Sequence, residues 1–246
     1  MFRRKQWGTV VRTDPGWNIS LWLCLLLTLP GFLRGMASAS DSPQCYGLSS
    51  SEPDEPLKVG RIVGDGPAFF HWDIRDCETA PNDCRTSSTW YVVPGDWVVV
   101  TESIPNFLCV EYSKNGSSKR RYSGWIPATR IKLVPTAEET YSQTAWLGTW
   151  RSGSTSKIII RPDGNALHAE GHAWWQGPHS LSPHFGDFGG TSTPTGNLVV
   201  FAAPDQGGCR VQLVQIKGMI AAQDNGRCGA INVSFSGFYI RRPHAN

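Results

Sequence analysis

The chain has 246 residues, with 23 Lys and Arg against 20 Asp and Glu, for a formal net charge of +3. The excess is confined to the start: residues 1–39 hold five Lys/Arg and one Asp, and residues 40–246 carry 18 basic and 19 acidic groups, net −1. That balance removes the basic footprint a nucleic-acid-binding protein needs, and the 207 residues from 40 onward exceed what one small β domain uses, so two domains are expected.

Arg3, Arg4 and Lys5 open the chain, and Arg12 adds to them. Residues 19–33 (ISLWLCLLLTLPGFL) form an apolar run, and Ala37-Ser38-Ala39 is a small-residue cleavage site. This order predicts a secretory signal peptide over 1–39. The run is fifteen residues long and contains Pro30, short of the ~20 that span a bilayer, so no stable membrane insertion is expected after cleavage.

Seven cysteines become six once Cys24 leaves with the signal, an even number that suggests disulfides in an exported chain. Cys209 and Cys228 stand alone in the C-terminal half and are paired. Cys77 and Cys84 bracket the short loop ETAPND, which leaves Cys45 with Cys109.

Beyond the signal, Gly, Pro, Ser, Thr and Asn punctuate short β-branched and aromatic runs every eight to twelve residues, the signature of barrels or sandwiches. Residues 49–56 (SSSEPDEP) read as a loop. The N-terminal block predicts strands at 59–63, 68–71, 90–93, 97–101, 107–112, 124–126 and 130–134. Pro94-Gly95-Asp96 is a turn, and Lys114-Asn115-Gly116 a hairpin signal. Residues 136–145 are polar and read as a linker between domains at 40–135 and 146–246. The C-terminal block predicts strands at 149–151, 157–161, 165–173, 197–202, 209–216, 219–222 and 232–240. In the last of these, Val233, Phe235 and Tyr239 alternate with Ser234, Ser236 and Phe238.

Residues 95–134 (GDWVVVTESIPNFLCVEYSKNGSSKRRYSGWIPATRIKLV) resemble the bacterial SH3-like domains of exported proteins. The resemblance rests on Gly95-Asp96 before a valine strand, on the strand at 109–112, and on Gly124-Trp125-Ile126-Pro127 ahead of a closing strand. It extends loosely over 59–93. It implies a small barrel that binds cell-wall peptides or serves as a scaffold, with Trp125 on the surface of a tight corner. Trp97, Tyr112, Tyr122 and Trp125 are the aromatic candidates for a ligand face, with Lys119, Arg120 and Arg121 beside them. Rings stack on sugars and apolar peptide groups, and the cations meet carboxylates or phosphates. The structural alternative makes Trp97 and Tyr112 core and the basic run a solvated hairpin tip.

In the C-terminal block, Gly148, Trp150 and Arg241 resemble the calycin pattern of lipocalin-like barrels, which implies an Arg closing over the first-strand Trp. His168, Glu170 and His172 alternate on one strand face, and His179, His184 and Asp187 come next in a Gly-rich stretch read as a loop. His168 and His172 lie about 13 Å apart at strand rise, too far to share an ion without curvature. Gly-x-Ser-x-Gly, phosphate-loop and His-Glu-x-x-His patterns do not occur.

The resulting expectation is an all-β, disulfide-stapled protein of two small barrels, SH3-like and then calycin-like. It is periplasmic or secreted, needs no cofactor, and is not an enzyme. It binds a cell-wall peptide or glycan, or an envelope protein such as a hydrolase to be inhibited. The candidate ligand residues are Trp125, Arg120, Arg121, Tyr122 and Trp97. A metal-dependent enzyme using His168, His172 and His184, and a structural or assembly role, are the other two readings.

Overall fold

The computed structural model describes residues 43–49, 55–74, 77, 85–116, 120–135, 141–178, 181–203 and 207–242. Residues 1–39, the expected signal peptide, lie outside these, as do Cys84, Lys119 and His179. The described part is all-β and folds as two sheets, one a half-barrel and the other a nearly closed barrel.

The N-terminal sheet contains β1 (Lys58–Ile62), β2 (Ala68–Asp73), β3 (Arg85–Val92), β4 (Trp97–Ile104), β5 (Phe107–Ser113), β6 (Arg121–Pro127) and β7 (Ile131–Val134), in the order β3-β2-β6-β5-β4-β1-β7. Ile62, Phe70, Val98, Val100, Val110 and Ile126 fill its concave side. The turn before β4 closes because Asp96 Oδ2 accepts the Val93 N–H at 2.9 Å and Gly95 takes a φ of 96°, a backbone state glycine reaches without strain. Gly124, Trp125, Ile126 and Pro127 belong to β6 itself and not to a surface corner. The tight corner comes one residue later, as a 3-10 turn at Ala128–Arg130.

The C-terminal sheet begins after a short helix, α1 (Gln143–Trp146). Its strands are β8 (Gly148–Ser152), β9 (Ser156–Asp163), β10 (Ala166–Trp175), β11 (His184–Ser192), β12 (Leu198–Ala203), β13 (Cys209–Ile216), β14 (Met219–Asp224) and β15 (Gly237–Arg241). Chain neighbours are hydrogen-bonded antiparallel from β8 to β11 and from β12 to β15, and β15 returns to pair with β8. This is an up-and-down barrel whose seam lies between β11 and β12, where the Phe188 and Phe201 rings come within 6.3 Å. The Gly-rich stretch at 184–192, read from sequence as a loop, is strand β11. Its glycines make room: a Cβ on Gly186 would meet Cys228 O at 2.5 Å.

The barrel interior is filled. On β10, Leu167, Ala169 and Ala173 point in while His168, His172 and Trp174 point out. Trp150 is buried and donates its indole N–H to Trp146 O at 2.8 Å, and the Arg241 guanidinium lies 4.7 Å above its ring. A buried carboxylate, Asp224, organises the return to β15. It accepts hydrogen bonds from the backbone of Gly226, Phe235 and Ser236 and from the Ser234 hydroxyl, so residues 232–236 are a bonded loop and not strand.

The two sheets share a second hydrophobic core. Leu57, Val59 and Val99 from the first pack against Val214, Ile216, Ala221 and Phe238 from the outer face of the second. Strands β4, β13 and β14 are therefore buried on both faces, which explains why Val98-Val99-Val100 reads as an unbroken apolar run. Gln212 spans the junction by accepting the Leu57 N–H at 3.0 Å. Residues 141–145, the described end of the expected linker, are docked: Tyr141 packs on the interior core of the C-terminal barrel, and Gln143 Nε2 donates to Gly164 O and Ala166 O.

Disulfides join Cys45 to Cys109 and Cys209 to Cys228, as the spacing predicts. Cys77 is also disulfide-bonded, while Cys84 falls outside the described residues. The Cys209–Cys228 bond closes a loop with a sequence separation of 19, a constraint worth about 3 kcal/mol in the loop-entropy model. Because β13 contributes to both cores, Cys209→Ser should lower one melting transition of the whole described fold. Calorimetry showing two events, only one of them displaced, would contradict the shared core.

Candidate functional site

The five residues expected to form a ligand face do not lie together on the surface. Trp125 is fully buried, against the expectation of an exposed ring. Its neighbours are Ile74, Cys77, Phe107 and Cys109, and its indole N–H donates to Pro43 O at 2.9 Å. The cover is residues 43–49, which cross the convex side of the first sheet as a strap tied by Cys45–Cys109. Arg121 serves the same strap: it pairs with Glu111, whose side chain is 2% exposed, and donates to Leu48 O at 3.1 Å. Glu111 Oε2 in turn accepts the Leu48 N–H at 2.6 Å. Trp97 is half-buried at the junction of the sheets, with Lys217 Nζ 4.7 Å above its ring. Arg120 is exposed.

Tyr122 alone of the five lines a candidate site. It belongs to an aromatic cleft of about 440 Å³ that also includes Trp90, Tyr91, Asp96, Tyr112 and Lys114. The rings form a chain: Trp72 to Trp90 at 5.0 Å, Trp90 to Tyr122 at 5.3 Å, with Phe69 against Tyr91 at 5.7 Å on its flank. Trp72 and Tyr91 are each 51% exposed and Trp90 41%, so large apolar faces stand in solvent where single exposed rings would be ordinary. At the cleft floor the Tyr112 hydroxyl donates to Asp96 Oδ1 at 3.4 Å, and burial together with the Asp96 carboxylate pushes that hydroxyl's pKa up, keeping it a neutral donor. Such a surface stacks on flat or ring-shaped groups, while Asp96, Lys114 and the tyrosines supply polar contacts.

Trp72, Trp90 and Tyr91 were not among the expected ligand residues. Trp72 has the same parity as the core residue Phe70 and packs on Trp90, yet it is 51% exposed, a difference that alternation alone does not show. The adjacent pair Trp90-Tyr91 is the signal that could have found the site, since neighbouring strand residues face opposite sides and one of two such rings must meet a second apolar environment or solvent.

The histidines do not converge. His168 and His172 face outward on β10 with separate partners, Thr191 Oγ1 at 3.1 Å and Asp187 Oδ1 at 2.5 Å, and Glu170 pairs with Arg161 at 2.9 Å. His184 contacts Ile231 O at 2.7 Å and packs on Trp175. Among the described residues no three His, Cys, Asp or Glu side chains come together as a metal site.

The fold and site therefore define an all-β protein of a half-barrel and a nearly closed barrel, with a solvent-facing aromatic cleft on the first. No known protein family, curated protein or solved structure matches this chain.

Proposed function

We propose that this is an exported, noncatalytic binding protein of the bacterial cell envelope that holds a cell-wall glycan or peptide in the Trp72–Trp90–Tyr122 cleft. The observation that carries the reading is the row of touching aromatic rings on a disulfide-stapled half-barrel, with Trp72 and Trp90 exposed and Tyr122 half-buried at its inner end. Aromatic anchors of this kind contribute ~1–3 kcal/mol each to a ligand stacked upon them. The resemblance of residues 95–134 to bacterial SH3-like domains supports the same ligand class, and the placement of Arg241 over Trp150 suits the lipocalin-like resemblance of the second barrel. Export is inferred from the signal-like order of residues 1–39, and the disulfides fit an oxidising compartment.

The test is cosedimentation of the purified chain with peptidoglycan sacculi stripped of protein. Trp72→Ala/Trp90→Ala should weaken sedimentation at least about tenfold and destabilise the fold less than Trp125→Ala, because both rings are partly exposed and Trp125 is fully buried. Equal sedimentation of parent and variant would overturn the assignment of the cleft. Absence of sedimentation by the parent would overturn the cell-wall ligand in favour of an envelope protein.

A further inference from the structure

The outer face of the second barrel carries a row of ionic side chains at directly paired register positions. Arg151 on β8 lies opposite Lys157 on β9, Lys157 opposite His172 on β10, and His172 opposite Asp187 on β11. Directly paired residues on one face of a sheet hold their Cβ atoms about 5 Å apart, and like charges so placed repel. Asp187 is committed to His172 at 2.5 Å, and the residue opposite Arg151 on its other side is Ile240. Arg151 and Lys157 thus face each other with no carboxylate at the adjoining paired positions. Both are half-buried, which heightens the cost of the arrangement.

The row borders a cleft of about 320 Å³ whose rim includes Ser154, Thr155, Trp174 and Phe185. Trp174 and Phe185 are themselves register partners, 41% and 62% exposed. A cation pair beside hydroxyls and an exposed indole suits an anion attached to a ring. We propose that this cleft binds an anionic sugar, with its carboxylate or phosphate between Arg151 and Lys157 and its ring against Trp174. The anion relieves the Arg151–Lys157 repulsion, and His172, oriented by Asp187, offers a further polar group at the end of the row. The site is on the other barrel from the Trp72–Trp90 cleft, so either can fail without the other.

The test tracks backbone amide shifts of the whole disulfide-bonded protein during titration with N-acetylmuramic acid, N-acetylglucosamine 6-phosphate and neutral N-acetylglucosamine. The two anionic sugars should move amides at 154–157, 172 and 185–187, and the neutral sugar should bind at least about tenfold more weakly, the worth of one charge-assisted hydrogen bond. Whichever anion binds tighter identifies carboxylate or phosphate as the natural group. Arg151→Gln/Lys157→Gln should reduce anionic sugar binding by at least the same factor while melting close to the parent, because it removes two cations at paired register positions and keeps polar side chains of similar length. Equal binding of neutral and anionic sugars, unchanged binding by the variant, or amides at these positions that stay still at millimolar sugar would each overturn the proposal.

Discussion

Replacing Glu111 by alanine is expected to lower the melting temperature by roughly 6–12 °C, the equivalent of about 3 kcal/mol in a protein of this size. The carboxylate is almost completely buried and answers two donors, the Arg121 guanidinium and the Leu48 N–H. Removing it leaves a cation and a backbone donor inside the junction. Arg121 retains about a quarter of its side-chain exposure, which puts the loss at the lower end of the range for broken buried pairs. Glu111→Gln keeps an acceptor for Leu48 and should lose less. The effect reaches both barrels, since the strap continues to Ser49, whose carbonyl accepts the Ser236 hydroxyl at 3.0 Å. A calorimetric trace for Glu111→Ala that matched the parent would show the strap to be dispensable.

Trp125→Ala is expected to cost about 3–5 kcal/mol, the range for deleting a fully buried indole. The cavity would open between Phe107, Cys109 and the strap, and the rigid Cys45–Cys109 tie limits how far the walls can close over it. Trp125→Phe separates the contributions. It keeps most of the apolar volume and gives up the bond to Pro43 O, a loss of about 1 kcal/mol beyond the change in packing. A smaller loss is expected in the aromatic cleft, where Trp90 is 41% exposed and Trp90→Ala removes only part of a buried surface together with the ring contacts to Trp72 and Tyr122. If Trp125→Ala melted like the parent and Trp90→Ala did not, the assignment of buried and solvent-facing tryptophans would be inverted.

Much of the all-β architecture was legible because turn residues separate short alternating segments, and because the cysteine spacing offers few sensible pairings. Both the Cys45–Cys109 and Cys209–Cys228 bonds agree with that spacing. The errors have a common source in contacts distant along the chain. Trp125 looks like a surface ring within its own tetrapeptide, but its cover arrives from Pro43, 82 residues earlier. Arg121 belongs to a basic run that reads as a solvated hairpin tip, and its partner Glu111 gives no local hint of being buried. The strand at 184–192 was hidden by glycines that serve close packing instead of turning the chain. The candidate site was the least legible part: Tyr122 is among the expected residues, whereas Trp72 shares the parity of the core residue Phe70 and nothing local marks it as exposed.

The binding proposal rests most directly on which tryptophans meet the ligand. The indole N–H resonances of the full disulfide-bonded protein should be monitored during titration with soluble peptidoglycan fragments prepared by enzymatic digestion. Trp72 and Trp90 are expected to shift or broaden, while the buried Trp125, Trp146 and Trp150 stay in place. Indole signals of Trp72 and Trp90 that remain fixed at saturating fragment, or shifts confined to other residues, would contradict the aromatic cleft as the binding site.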